Sequence, residues 1–270
     1  MFDFDAYLER IRLDGPSDLA SIHRAHACAI PFENLDPHAG VPVSLGVDAL
    51  RTKLVTSRRG GYCFEQNLLL KAALEARGAK VETLLARVRW GAPPGVLRPQ
   101  GHLVLKVEID GAVWHADVGF GGGTLLEPIP FGPGGPYEQS GWLFRVVQEG
   151  TDLVLQSEAE NQWSDVYVFA PEPVPPIDLE VSNWFTCSHP ASPFVTGLLI
   201  STQRQDGTRI RLSDWGDLAL VVATPNDRTV TPVERDAIPV ILGEQFDLPG
   251  FALDAKRRIS PTPGELHPPT

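Results

Sequence analysis

The spacing of apolar residues changes character partway along this chain. Phe4, Tyr7, Leu8 and Ile11 recur at helical spacing between Asp3 and Ile11. After Pro16 a second run places Leu19, Ile22, His23 and His26 on one face. It stops at Pro31 in Ala29-Ile30-Pro31-Phe32-Glu33-Asn34-Leu35, because a residue before proline avoids the α region. Residues 36 to 45 read as a loop and Gly46 to Val55 as a third, short helix. A fourth run opens at Cys63, carries Leu68, Leu69, Leu70, Ala73 and Leu74, and closes at Arg77, with Gly78 as its stop. Beyond Gly78 the period falls to 2: Val81 to Val88 reads as a strand, followed by a Gly/Pro-rich loop from Gly91 to Gly101.

The next stretch is the most informative. His102 to Ile109 and Ala112 to Gly119 alternate on either side of Asp110-Gly111, which predicts a β-hairpin with a two-residue type I′ turn. With Ile109 opposite Ala112, Leu105 falls opposite Ala116, Val104 opposite Asp117 and Leu103 opposite Val118. One face then carries Leu103, Leu105, Val107, Ile109, Trp114, Ala116 and Val118. The other carries His102, Val104, Lys106, Glu108, Val113, His115 and Asp117. His102 and Asp117 become diagonal neighbours, with Cβ atoms roughly 5.5–8 Å apart.

Strand character resumes at Trp142 to Gln148, Leu153 to Ser157 and Val166 to Ala170, a pattern fitting a small barrel or sandwich. A short helix begins near Asp178 and ends in the run Ser182 to Pro190. Leu198 to Gln203 and Thr208 to Leu212 flank Asp206-Gly207, another hairpin signal, and Leu218 to Ala223 adds a strand. Val233 to Leu248 reads as helical despite Pro239, and the proline-rich tail from Ser260 is expected to fray.

Composition narrows the class. A net charge of −11 over 270 residues argues against nucleic acid or an anionic membrane as partner. No window approaches the ~18 apolar residues of a membrane span. The acidic start Met1-Phe2-Asp3-Phe4-Asp5 is unlike a secretory signal. Cys28, Cys63 and Cys187 are odd in number and widely spaced, neither a disulfide framework nor a zinc pattern, so a cytoplasmic location is expected.

Candidate chemistry centres on Arg58-Arg59-Gly60-Gly61-Tyr62-Cys63-Phe64-Glu65-Gln66-Asn67. The chain turns at the two glycines and sets a thiol in the first turn of a helix, where free N–H groups and the macrodipole favour negative charge. A thiol nucleophile needs an imidazole, and the imidazole a carboxylate that holds its tautomer. His102 and Asp117 meet that need. Their face also carries Lys106, Glu108 and His115, so a solvated face accounts for it as well. A metal site of His102, His115 and Asp117 lacks a fourth ligand at recognisable spacing, and His23 and His26 have no metal spacing either. Neither a Walker-type phosphate loop nor a GxGxxG turn is present.

Taken together, the Arg58–Asn67 stretch, the His102 strand, Asp117-Val118-Gly119-Phe120-Gly121-Gly122, Ile30-Pro31-Phe32-Glu33-Asn34-Leu35, Asn183-Trp184-Phe185 and Ser188-His189-Pro190-Ala191-Ser192-Pro193-Phe194 resemble the arylamine N-acetyltransferases. The resemblance runs in order from residue 30 to about 200. It implies an α+β fold: an N-terminal helical bundle (residues 1–80) carrying the nucleophile, a central β-barrel (81–177) carrying His and Asp, and a C-terminal α/β lid (178–270). The implied arrangement is like that of cysteine proteases, a Cys63–His102–Asp117 triad. The implied activity is ping-pong acetyl transfer from acetyl-CoA to an aromatic amine or hydrazine, with no metal.

Position by position, Gly101, Gly121 and Gly122 correspond to coenzyme contacts, and Phe32, Val88, Phe120 and Phe194 to the acceptor pocket. Gly101 stands where the family often has Thr or Ser. Two other chemistries share the triad: amide synthases of polyketide macrolactam formation, and transglutaminase-like thiol acyltransferases or hydrolases.

Overall fold

The computed structural model describes residues 2–93, 95–159, 161–254 and 258–262. Its N-terminal part is helical: Phe4–Arg10, Leu19–Ala29 and Cys63–Ala76 pack around Tyr7, Ile22, Leu54, Leu69 and Leu70. The first two begin where an aspartate caps them, Asp3 accepting from Ala6 N–H and Asp18 from Ser21 N–H. The third expected helix is Val47–Leu50 continuing into a wider π-helical turn, Arg51–Thr56. The expected loop at 36–45 is in part helical, because Leu35–His38 makes one turn.

Eight antiparallel strands form a nearly closed barrel in the order Ile129–Pro130, Ala112–Ala116, His102–Ile109, Lys80–Val88, Gln162–Phe169, Asp152–Ala159, Trp142–Glu149, Gly134–Gln139. The hairpin turn is as expected, with φ of 52° at Asp110 and 76° at Gly111. Pairing runs from Ile109–Ala112 to Leu105–Ala116 and stops. The expected Val104–Asp117 and Leu103–Val118 pairs do not form, because those amides are used elsewhere. Asp117 N–H donates to His23 Nε2 and Val118 N–H to the Asn67 side chain. The chain therefore peels off the sheet at Asp117, beside the Cys63 helix.

Both faces of the hairpin are dry at this end. Leu105, Val107, Ala116 and Val118 pack on the helices, while Val104 joins Leu84, Ala86 and Tyr167 inside the barrel. Only the turn end of the second face meets water, where Lys106 pairs with Glu82 at 2.9 Å.

A second antiparallel sheet takes Phe32–Glu33 from the N-terminal part beside Leu199–Gln203, Arg209–Ser213, Ala219–Thr224 and Asp227–Pro232. Ile200, Ile210 and Leu212 pack its one face on the helix Ile238–Phe246. Asp227–Pro232 was not expected: it is exposed along its length and shows no alternation. The run expected as helix from Val233 to Leu248 is a 3₁₀ turn, Arg235–Ala237, followed by Ile238–Phe246. Pro239 lies in its first turn, where the missing N–H removes no helical bond. The helix expected near Asp178 spans Pro176–Ser188, so the run from Ser182 continues it through Ser188. Ile259–Pro261 pairs with Phe251–Leu253, which corrects the expected fraying at Ser260; the rest of that tail, from residue 263, lies outside the described residues.

Candidate active site

The Cys63 turn is built by close packing. Gly61 N–H donates to Pro31 O, and Glu33 N–H donates to Gly61 O, tying the two segments together. A Cβ on Gly61 would stand 2.8 Å from the Glu65 carboxylate, which accepts from Tyr62 N–H just before the helix. Cys63 opens the helix, buried, with its Sγ 3.6 Å from Gly101 O. Gly119 crosses this helix start so closely that a Cβ there would lie 2.8 Å from Cys63 Cα.

His102 Nε2 meets Asp117 Oδ2 at 2.8 Å with both side chains buried, which leaves Nδ1 as the nitrogen free for the thiol. Asp117 is saturated: Oδ2 also accepts from Tyr167 O–H (3.0 Å), and Oδ1 accepts from Asn67 Nδ2 and Gly119 N–H (2.9 Å each). Burial alone would raise the Asp117 carboxyl; the His102 charge, the His102 and Asn67 hydrogen bonds and the Gly119 N–H together hold it below its usual range. Burial alone would likewise lower His102, but the Asp117 charge and hydrogen bond, with Cys63, hold it up at about 10. His102 is therefore held in its protonated form at neutral pH.

The neighbouring histidines do the opposite. Burial pushes His23 and His115 down to about 4 and His26 to about 3. Each is neutral and hydrogen-bonded inside the protein: His23 between Leu126 O and Asp117 N–H, His26 between Tyr7 and Gln66, His115 against Tyr167 at 2.7 Å. Among the described residues no His, Cys, Asp and Glu grouping could hold a metal ion.

The other sequence-derived positions gather nearby. Phe120 stands edge-on to the His102 ring (centroids 5.2 Å, planes 86° apart) and also meets Trp90. Phe32 and Phe194 meet at 6.0 Å, and Phe194 packs on Tyr62 at 5.9 Å. Val88 pairs across the sheet with Tyr167, on the face that Ala86 shares with its partner His102. Gly121, at φ +83°, lies where a Cβ would crowd the Phe32 ring and Ser201 Oγ. A Cβ on Gly101 would come 3.6 Å from Thr186 Oγ1.

Three contributors went unassigned in the sequence. Asn67 sits one helical turn after Cys63, an i+4 spacing that puts it on the same face and was legible. Tyr167 arrives from a strand 50 residues beyond Asp117, and Trp90 from the start of a loop; nothing local marks either.

Comparison with known proteins agrees with this architecture. A family profile described as N-acetyltransferase matches residues 17–254. The arylamine N-acetyltransferase of Mycolicibacterium smegmatis is 44% identical over 213 residues, covering 76% of this chain and 78% of that protein. The Escherichia coli enzyme of the same name is 36% identical, over 77% of this chain and 76% of that one. A solved structure of the Mycobacterium marinum enzyme in complex with CoA superposes with a TM-score of 0.86 at 37% identity, covering 91% of this chain and 93% of that one. Fold and relatives together define an acyltransferase. The chain belongs to the arylamine N-acetyltransferase family.

Proposed function

We propose that this protein transfers acetyl groups from acetyl-CoA to aromatic amines or hydrazines in two half-reactions through Cys63, with His102 as proton carrier and Asp117 as its orienting carboxylate. The observation that carries the reading is the 2.8 Å contact of His102 Nε2 with Asp117 Oδ2, which leaves the other ring nitrogen for the buried Cys63 at its helix start. Such a pairing keeps the cysteine sulfur as the nucleophile.

In the first half-reaction the sulfur attacks the thioester carbonyl. The Cys63–acetyl bond forms, the bond to the coenzyme sulfur breaks, and the His102 proton goes to the departing thiol. In the second the amine nitrogen attacks the acetyl carbon, the bond to Cys63 breaks, and His102 takes the amine proton. Proton and charge return to their starting places. The Gly101 carbonyl beside the sulfur and the side-chain-poor turn at Gly121 and Gly122 give the coenzyme arm room. Phe32, Phe120 and Phe194 supply flat apolar surface for a ring, with Val88 an aliphatic contact beside it. Residues 1–80, 81–177 and 178–270 would contribute nucleophile, His–Asp pair and lid. Three free cysteines support a reducing, cytoplasmic setting.

Intact mass spectrometry tests the reading. Acetyl-CoA alone should add one acetyl group in place of one proton to the wild type and nothing to Cys63→Ala, and aromatic amine should discharge it. A wild type that gains no acetyl overturns the reading. Discharge by water or lysine regardless of amine would move it to the transglutaminase-like chemistry.

A further inference from the structure

The second sheet has an unusual inner face. Register places Phe32 opposite Ser201, Ser201 opposite Arg211 and Gln203 opposite Arg209, so these side chains share one face while Ile200, Ile210 and Leu212 fill the other. Four atoms on that face, Ser201 Oγ, Gln203 Oε1, Arg209 Nε and Arg211 Nε, are buried with no hydrogen-bond partner. Ser201, Gln203 and Arg209 are 1%, 4% and 6% exposed, so water does not readily satisfy them. Neither arginine has a carboxylate partner among the described residues. Arg209 is instead stacked 3.6 Å over Trp142, and burial together with the like charge of Arg228 pushes Arg211 down.

In a chain of net charge −11, a buried Arg209 and a half-buried Arg211 on one face, with no acid facing either among the described residues and no partner for either Nε, stand apart. An unpaired buried charge is costly, and proteins keep one where a ligand supplies the opposite sign. The face also points to the reactive thiol. Gln203 Nε2 donates to Gly121 O at 3.3 Å; a Cβ added at Gly121 would stand 3.1 Å from Ser201 Oγ, and one added at Gly122 3.8 Å from Arg211 Cδ. Gly119, on Cys63, is three residues earlier, at most about 11 Å of chain away.

We propose that Arg211, with Ser201 Oγ and with Arg209 behind it, is an anion seat that binds the phosphate or carboxylate oxygens of a reactant whose other end lies at Cys63. This deepens the transfer reading and rests on it for what happens at the thiol. A planar guanidinium suits either oxyanion. A nucleotide donor's diphosphate and a carboxylate on the aromatic acceptor are the two possible sources.

Titration calorimetry of inorganic diphosphate and of CoA against wild type, Arg211→Gln and Arg211→Lys provides a readout apart from turnover. Lys80→Gln, the same charge change at an exposed site on the barrel, is the control. If the donor supplies the anion, Arg211→Gln weakens both ligands about tenfold, Arg211→Lys recovers part, and Lys80→Gln does neither. If the acceptor supplies it, CoA affinity holds and Arg211→Gln raises KM for 4-aminobenzoate about tenfold relative to aniline. A variant that changes neither preference, or a loss matched by Lys80→Gln, overturns the seat. The mass test on wild type stays separate: diphosphate binding without acetyl-Cys63 would overturn the transfer reading and leave the anion seat standing.

Discussion

Two charged regions flank the Cys63 turn, and they are built on opposite plans. On one side Arg59 pairs with Glu33 at 2.6 Å and Asp36 at 2.8 Å, while Lys53 pairs with Asp36 and Glu65 at 2.7 Å each. Arg10, also buried, donates to the carbonyls of Leu54, Ala29, Arg58 and Arg59. These three cations are spent on carboxylates and carbonyls around the chain that leads into Cys63. On the other side Arg209 and Arg211 face no acid among the described residues. The difference separates structural charge from charge held in reserve for a ligand: the first is satisfied inside the protein by carboxylates or carbonyls, the second only when something binds.

The largest effect is expected between the two regions, at the site they frame. Asp117→Asn keeps the shape but removes the charge that holds His102 protonated, so transfer should fall on the order of 10³-fold or more. Single-turnover acetylation of Cys63 is the measurement; a loss below about tenfold would remove Asp117 from the mechanism.

Arg59→Ala tests the neutralised side. It strands Glu33, which is fully buried, without its partner. A loss of about 3–5 kcal/mol is expected, on the order of 10 °C in the thermal midpoint. Arg211→Ala, which strands nothing, should leave the midpoint nearly unchanged. Equal losses would erase the distinction.

Acid and alkali should act on different groups. His23 and His115 at about 4 and His26 at about 3 resist protons that the unfolded chain takes up near 6.5. The unfolded state then binds more protons, so stability falls as pH drops from 6.5 towards 4. His102, held up at about 10, is the reverse: its contribution is whole below 6.5 and is lost as pH rises towards 10. Denaturation midpoints across pH should peak between the two limbs. Asp117→Asn should flatten the alkaline limb, and on the acid side it should remove the contribution of the depressed Asp117 carboxyl while pushing His23 and His115 further down.

The smallest effect is expected at Arg12–Asp247, a 2.7 Å pair whose side chains are 64% and 59% exposed. Arg12→Ala should change stability by less than about 0.5 kcal/mol in a urea titration. A larger loss would mean that exposed pairs here rival the buried set.

Much of the site was legible because it depends on local rules. Gly60-Gly61 before an amphipathic run places Cys63 on a helix start. Asp110-Gly111 fixes a register that carries Asp117 towards His102, although their 2.8 Å contact is made where the chain has already left the ladder. The ladder's early end was not legible, because it is decided by His23 and Asn67 on two other elements. Nor was the dryness of the His102 face, whose alternation reads as solvent-facing until a barrel closes over it.

By itself, then, the chain's sequence determined where the thiol sits, how the hairpin is registered and which family its motifs belong to. These are matters of turn chemistry and periodicity within a few residues. Only the tertiary structure decided which charges are neutralised. Whether Arg59 meets Glu33 and Arg211 meets no acid among the described residues depends on Phe32–Glu33 leaving the helical part to edge a sheet that starts again at Leu199. Burial and long-range pairing set the cost of a charge, and neither is written in the spacing of residues along the chain.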